Sequence, residues 1–305
     1  MKEEVSGNAE DWMDPGFLDR LRAMFLRLRK RRVQRRRNVL PNPASGLTRE
    51  FKDYRHYVRQ DDYRSIDWKL YARLERLFVR LYEEVREFHV HVVVDASTSM
   101  ARPFGEKRST ALRLALALSY LGLVSQHRVS LYAMRNRVTD ILPPLKGQGH
   151  IHRVMEALRG LEFDGTTRLR EAFGTFRPSR QRHGVIFVLS DLIGQNPDAV
   201  EEALRHVGLW PGETHVIHLF HPWEQSPELE GEVRLVDVET GEARKLWLTR
   251  QDLRRYRETF DAYLHVAERA CASRQVDYLA WRTDGSFEEM FLELMGRGSV
   301  LAGHG

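Results

Sequence analysis

The sequence predicts an α/β fold, a mainly parallel sheet with helices on both faces, preceded by an N-terminal extension. Three observations predict it. The runs His89 to Val94 (HVHVVV) and Gly184 to Leu189 (GVIFVL) are short, β-branched and apolar throughout, as strands buried on both faces are, and each leads into an acid, Asp95 or Asp191. Segments with helical spacing alternate with such strands along most of the chain, the pattern of parallel strands joined by crossover helices. At 305 residues, with 42% hydrophobic and 30% charged side chains, the chain can bury a full core.

The elements follow in order. Residues 1–14 are polar. After Pro15 and Gly16, Phe17, Leu18, Leu21, Met24, Phe25 and Leu28 recur at three and four, predicting an amphipathic helix to about Arg37. Ten basic residues crowd this helix between Arg20 and Arg37, so the net charge of +5 belongs to one element. Its apolar stripe is expected to dock on the domain; its basic face is suited to an anionic surface. Pro41, Asn42, Pro43 and Gly46 form a linker. In the aromatic, charge-alternating segment that follows, Arg55, Arg59, Asp61, Asp62, Arg64 and Asp67 are expected to form a salt-bridged seam rather than a catalytic cleft. The expected organisation is an extension over 1–37, a second segment over 38–87 and the α/β domain over 88–305.

Beyond the first strand, a helix is expected over Lys107 to Gln126, then strands over Val129 to Met134 and Val138 to Leu142, the latter ending at Pro143 and Pro144. Helices follow near 149–158, 169–176 and 199–207, strands over Gly184 to Leu189 and His215 to Phe220, and a hairpin turning near 239–242. A long helix from about Arg250, a strand over Val276 to Ala280 and a helix from Phe287 complete the domain.

The same sequence excludes several classes. One cysteine, Cys271, permits neither an intramolecular disulfide nor a cysteine-based zinc site and suits a reducing compartment. No run reaches the roughly 18 apolar residues of a membrane span, and the acidic N-terminus has no apolar signal core. A cytoplasmic protein is expected, with a peripheral place at a membrane as the alternative. Neither GxxxxGK[ST] nor GxGxxG occurs, so no nucleotide is expected to bind. GxSxG is absent as well.

In open α/β sheets ligands gather at the carboxyl ends of the strands. Three polar clusters fall there: Asp95-Ala96-Ser97-Thr98-Ser99, Gly165-Thr166-Thr167 and Ser190-Asp191. Two carboxylates and several hydroxyls make an all-oxygen set suited to a hard cation, magnesium first, with manganese or calcium as alternates. Each tripeptide alone is weak, since a serine-rich turn also caps a helix. Their order along the chain gives the signal. His215, His218 and His221 are spaced by three, but period two sends His215 and His218 to opposite faces, so no shared metal is expected.

The three clusters resemble the metal-ion-dependent adhesion site of von Willebrand factor A domains. A longer string resembles one bacterial branch of that superfamily, the domain-of-unknown-function family fifty-eight: Glu50-Phe51, Tyr54 to Tyr57, Asp61-Asp62, Arg64, Ile66-Asp67-Trp68, Ala72-Arg73, Asp95 to Met100, and Leu235 to Glu242. The resemblance spans roughly residues 38–300. It implies that Ser97 and Ser99 ligate the metal directly, Thr167 directly or through water, and that Asp95 and Asp191 act largely through water and hydrogen bonds. It implies a protein-interaction role beside a MoxR-type AAA+ ATPase, in assembly or metal insertion, with no catalysis of its own. Many relatives carry N-terminal membrane spans where this chain has the basic helix, and Gln60 stands where a glycine is usual. Two other functions stay open: a binder of anionic membrane or nucleic acid through the basic helix, and a metal-dependent hydrolase. The metal-site side chains are expected at a loop edge, where alanine at Asp95 or Ser97 leaves the fold nearly intact.

Overall fold

The computed structural model describes residues 12–13, 16–36, 49–59, 61–84, 88–178, 184–193, 197–238 and 241–297. Gln60 and Arg37 lie outside them, as do the polar start and the proline-containing linker. The chain opens with α1 (Phe17–Arg36), β1 (Arg49–His56), α2 (Trp68–Leu74) and β2 (Phe78–Glu84). The domain proper runs β3 (His89–Asp95), α3 (Thr98–Ala101), α4 (Glu106–Val124), β4 (Arg128–Met134), β5 (Val138–Lys146), α5 (Ile151–Arg159) and α6 (Leu169–Thr175). It continues with β6 (Gly184–Ser190), α7 (Pro197–Val207), β7 (Glu213–Phe220), α8 (Pro222–Gln225), β8 (Gly231–Val236), β9 (Ala243–Leu248), α9 (Arg250–Ala272), β10 (Asp277–Arg282) and α10 (Phe287–Arg297).

Six strands form one sheet in the order β10-β7-β6-β3-β4-β5, parallel except for the antiparallel edge strand β5. The alternation of side chains along each strand sorts the core into two layers. Val90, Val92 and Val94 of β3 join Phe187 of β6 and Leu131 of β4 on one face, under α4, α5 and α10. Val93, Ile186 and Val188 face the other way, under α6, α7 and α9. Helices on both faces explain why β3 and β6 are buried at every position.

The fold class is the expected one, and three details differ from expectation. β5 runs on through Pro143 and Pro144 to Lys146. It is an edge strand, where a missing N–H can face outward without breaking a ladder bond. The charged segment before the domain forms an antiparallel pair, β1 with β2, flanking α2. No apolar alternation announces those strands. Residues 148–150 form a turn of 3-10 helix before α5, which begins at Ile151.

In the segment before the domain, Arg55 pairs with Asp61 at 2.5 Å. Asp67 caps α2 by accepting from the N–H groups of Lys69 and Leu70, and also takes Arg80 Nε at 2.8 Å and the Tyr54 hydroxyl at 3.0 Å. The Arg80 hydrogen bond, against the opposing effect of burial, holds the Asp67 carboxyl well below the usual carboxylate range.

The apolar stripe of α1 docks on the domain. Phe17, Leu21 and Met24 are buried in the first core layer together with Trp12. Phe17 meets Phe287 of α10 edge-on at 5.2 Å, and Arg113 of α4 donates to the Trp12 carbonyl. Among the described residues, no helix is long and apolar enough to cross a membrane.

Candidate functional site

β3 is the central strand that delivers Asp95 to the carboxyl edge of the sheet. Its backbone continues into Ser97, which has extended geometry (φ −71°, ψ 162°) just before α3. The loop after α5 is tied to this turn by two backbone bonds, Thr98 N–H to the Gly165 carbonyl at 3.0 Å and Asp164 N–H to the Ala96 carbonyl at 2.9 Å. Gly165 sits at φ +73°, a left-handed conformation that glycine adopts without steric cost. That turn sets Thr167 against β3.

The side chains converge on Asp95. Its Oδ1 accepts from the Thr167 hydroxyl at 2.8 Å and from the Ser97 N–H at 3.0 Å, and its Oδ2 accepts from the Ser190 hydroxyl at 2.6 Å. The hydroxyls of Ser97 and Ser99 lie 3.0 Å apart. Asp95, Ser97, Ser99, Thr167 and Ser190 are all buried. Three separated pieces of chain thus bring their oxygen atoms into one cluster.

Asp191 stands beside this cluster but turns another way. Its Oδ2 accepts from Lys107 Nζ at 2.8 Å and its Oδ1 from the Ile193 N–H at 3.1 Å. Lys107, in the first turn of α4, has no exposed surface and also donates to Glu224 Oε1 at 2.5 Å. Glu224 in turn accepts from the His221 N–H at the start of α8. Burial alone lowers the Lys107 pKa; the charges of Asp191 and Glu224 outweigh it and leave the ammonium favoured. Buried His218, with its pKa pushed down to about 4 chiefly by burial, adds no positive charge at neutral pH.

Lys107 serves Asp191 and Glu224, whereas the Asp95 carboxylate accepts from the hydroxyls of Thr167 and Ser190 and from the Ser97 N–H. Burial, then the charge of Asp191, raises the Asp95 pKa to about 6. An all-oxygen donor set built on the Asp95 carboxylate matches a hard cation in type.

One feature of this site was invisible in the sequence. Lys107 sits in a Glu106-Lys107-Arg108 triplet that looks like any solvated helix start. Ser190 precedes the acid that the motif highlights, yet it is Ser190 that bonds Asp95. One expectation needs correcting. Asp95 and Ser97 are not at an exposed loop edge; both are fully buried. Alanine at Asp95 strands three donors, at a cost of about 1–3 kcal/mol for each buried group left unpaired.

Fold and site together define the class: an α/β domain carrying an oxygen-donor cluster at the carboxyl edge of its mainly parallel sheet. Residues 53–268 match the family described as "Protein of unknown function DUF58", and the chain belongs to that family. It is similar to the uncharacterized protein Rv1480 of Mycobacterium tuberculosis, 27% identical over 282 residues, which cover 87% of this chain and 84% of that one. Among solved structures, the conserved hypothetical protein BatB from Bacteroides thetaiotaomicron is similar at 14% identity and a TM-score of 0.40, covering 70% of this chain and 98% of that one. The von Willebrand factor type A protein from Catenulispora acidiphila is similar at 14% identity and a TM-score of 0.34, covering 66% and 44%. Likenesses this loose carry no weight for function.

Proposed function

We propose that this chain is a non-enzymatic, metal-dependent protein-interaction module that receives an acidic side chain of a partner protein. Magnesium is the first choice of ion, with manganese or calcium as alternates. The partner class that the family resemblance implies is a MoxR-type AAA+ ATPase, and the setting is the cytoplasm.

One observation carries the reading: oxygen atoms from the β3 turn and from the Gly165 loop meet in one buried cluster, with Asp95 at its centre. Ser97, Ser99 and Thr167 would hold the ion, with Asp95 orienting their hydroxyls and supplying charge. An ion held there supplies an electrophilic anchor for a carboxylate, a charge-assisted contact stronger than a neutral hydrogen bond. Lys107 keeps Asp191 in place and spares the cluster a further unpaired carboxylate. The Ser190 and Thr167 hydroxyls are held by the Asp95 carboxylate, and His218 is engaged with Tyr278 through Nδ1 at 2.7 Å.

The test is co-purification of partners in magnesium and in chelator, for the intact chain and for Ser99→Ala, a small change at the cluster's rim. A partner should be retained in magnesium, released by chelator and lost from Ser99→Ala. Capture indifferent to chelator contradicts the reading.

A further inference from the structure

The opposite, amino-terminal edge of the parallel sheet carries a cluster that the site above does not use. Glu213 and His215 are two apart on β7 and therefore share a face, and Asp277, which opens β10, is the register partner of His215. One ligand-type atom from each of the three lies within 4.8 Å of the others. The His215 ring is 2% exposed and stacks on Phe187 at 4.9 Å, which fixes its plane. Glu213 and Asp277 are more open, with side chains 30% and 48% exposed.

The His215 ring is poorly served by the protein. Nε2 lies 3.1 Å from Glu213 Oε1 and Nδ1 lies 3.2 Å from Asp277 Oδ2, yet neither nitrogen makes a hydrogen bond. A protonated imidazole clamped between two carboxylates would draw both oxygens in to roughly 2.7–2.9 Å along its N–H directions. The two carboxylates instead flank different ring nitrogens at 3.1 and 3.2 Å, without hydrogen-bond geometry to either.

We propose that Glu213, His215 and Asp277 form a second divalent-cation site, for a borderline ion of the zinc type. An imidazole ligand selects zinc, cobalt or nickel over magnesium or calcium. A neutral imidazole with two carboxylates balances a divalent charge. One ring nitrogen binds the ion and the other faces a carboxylate that orients the ring, the usual arrangement around a metal-bound histidine. A small recess beside the cluster is lined by His215, Asp277, Tyr278, Leu279 and Arg297. The guanidinium of Arg297 is engaged by the Tyr278 carbonyl and Glu293. The bound ion staples edge strand β10 to β7, a structural role independent of the Asp95 cluster.

The test is a cobalt titration, followed by visible absorption, on the full chain, on a Glu213→Gln/Asp277→Asn double variant and on Ser99→Ala, a small change in the Asp95 cluster. The double variant changes partly exposed groups to isosteres, so its fold should hold. Intact chain and Ser99→Ala should each bind one equivalent with d–d bands of a site containing nitrogen, and the double variant should bind at least tenfold more weakly. Equal binding by the double variant, or no such bands in the intact chain, overturns the proposal. Failure at Asp95 alone would leave these bands unchanged and count only against the interaction site.

Discussion

Lys107 is the residue on which the order of the interaction site turns. Its ammonium joins Asp191 of the sheet edge to Glu224 of α8, with Lys107 and Asp191 buried and Glu224 partly so. Removing one partner of a buried ion pair leaves the others uncompensated, so Lys107→Met should destabilise the chain by about 3–5 kcal/mol. Urea unfolding measures this, and a loss near zero would mean that the carboxylates find other partners. Sequence alone could name the clusters of Asp95, Ser97, Ser99 and Asp191, because strand ends followed by oxygen-rich turns have a local signature, whereas Thr167 was singled out by the family resemblance. It could not separate the two aspartates, since one accepts from hydroxyls and the other from a lysine brought in by α4. Burial of a lysine is a tertiary fact, and no local pattern around Lys107 carries it.

At the scale of elements, two attachments bear testing. The helix α1 is held by apolar contact, and Phe17→Ala removes a buried ring that packs on Phe287. The expected loss is about 3–5 kcal/mol, read by urea unfolding, and less than about 1 kcal/mol would show that α1 contributes little. Its stripe was legible from spacing at three and four. The attachment of α2 was not, because Asp67 acts through Arg80 on a strand whose charged sequence hides it. That carboxyl titrates below its ordinary value of 3.8 in the folded chain, so its ionised form stabilises the fold above that pH. As pH falls below about 4 the unfolded chain takes up the proton first and the contribution is lost. The melting temperature should therefore fall more steeply on acidification in the native sequence than in Asp67→Asn. Parallel curves for the two would contradict the assignment.

Over the whole molecule, one sheet divides the core and presents different chemistry at its two edges. β-branched runs exposed the central strands, and alternation with helices exposed the crossovers. The edge strand β5 was cut short at its prolines because position in a sheet, which decides whether proline is tolerated, is not written in the strand itself. The cluster of Glu213, His215 and Asp277 was hidden for a related reason: β7 and β10 become neighbours only on folding. Each edge thus owes its donors to chain segments far apart in sequence. At the carboxyl edge, calorimetric titration of magnesium into the intact chain and into Thr167→Val probes that convergence most directly. One equivalent should bind to the intact chain and at least tenfold more weakly to the variant, whose missing hydroxyl is the Gly165 loop's contribution to the cluster. No magnesium uptake by the intact chain, or equal uptake by both, would contradict a cation held between these loops.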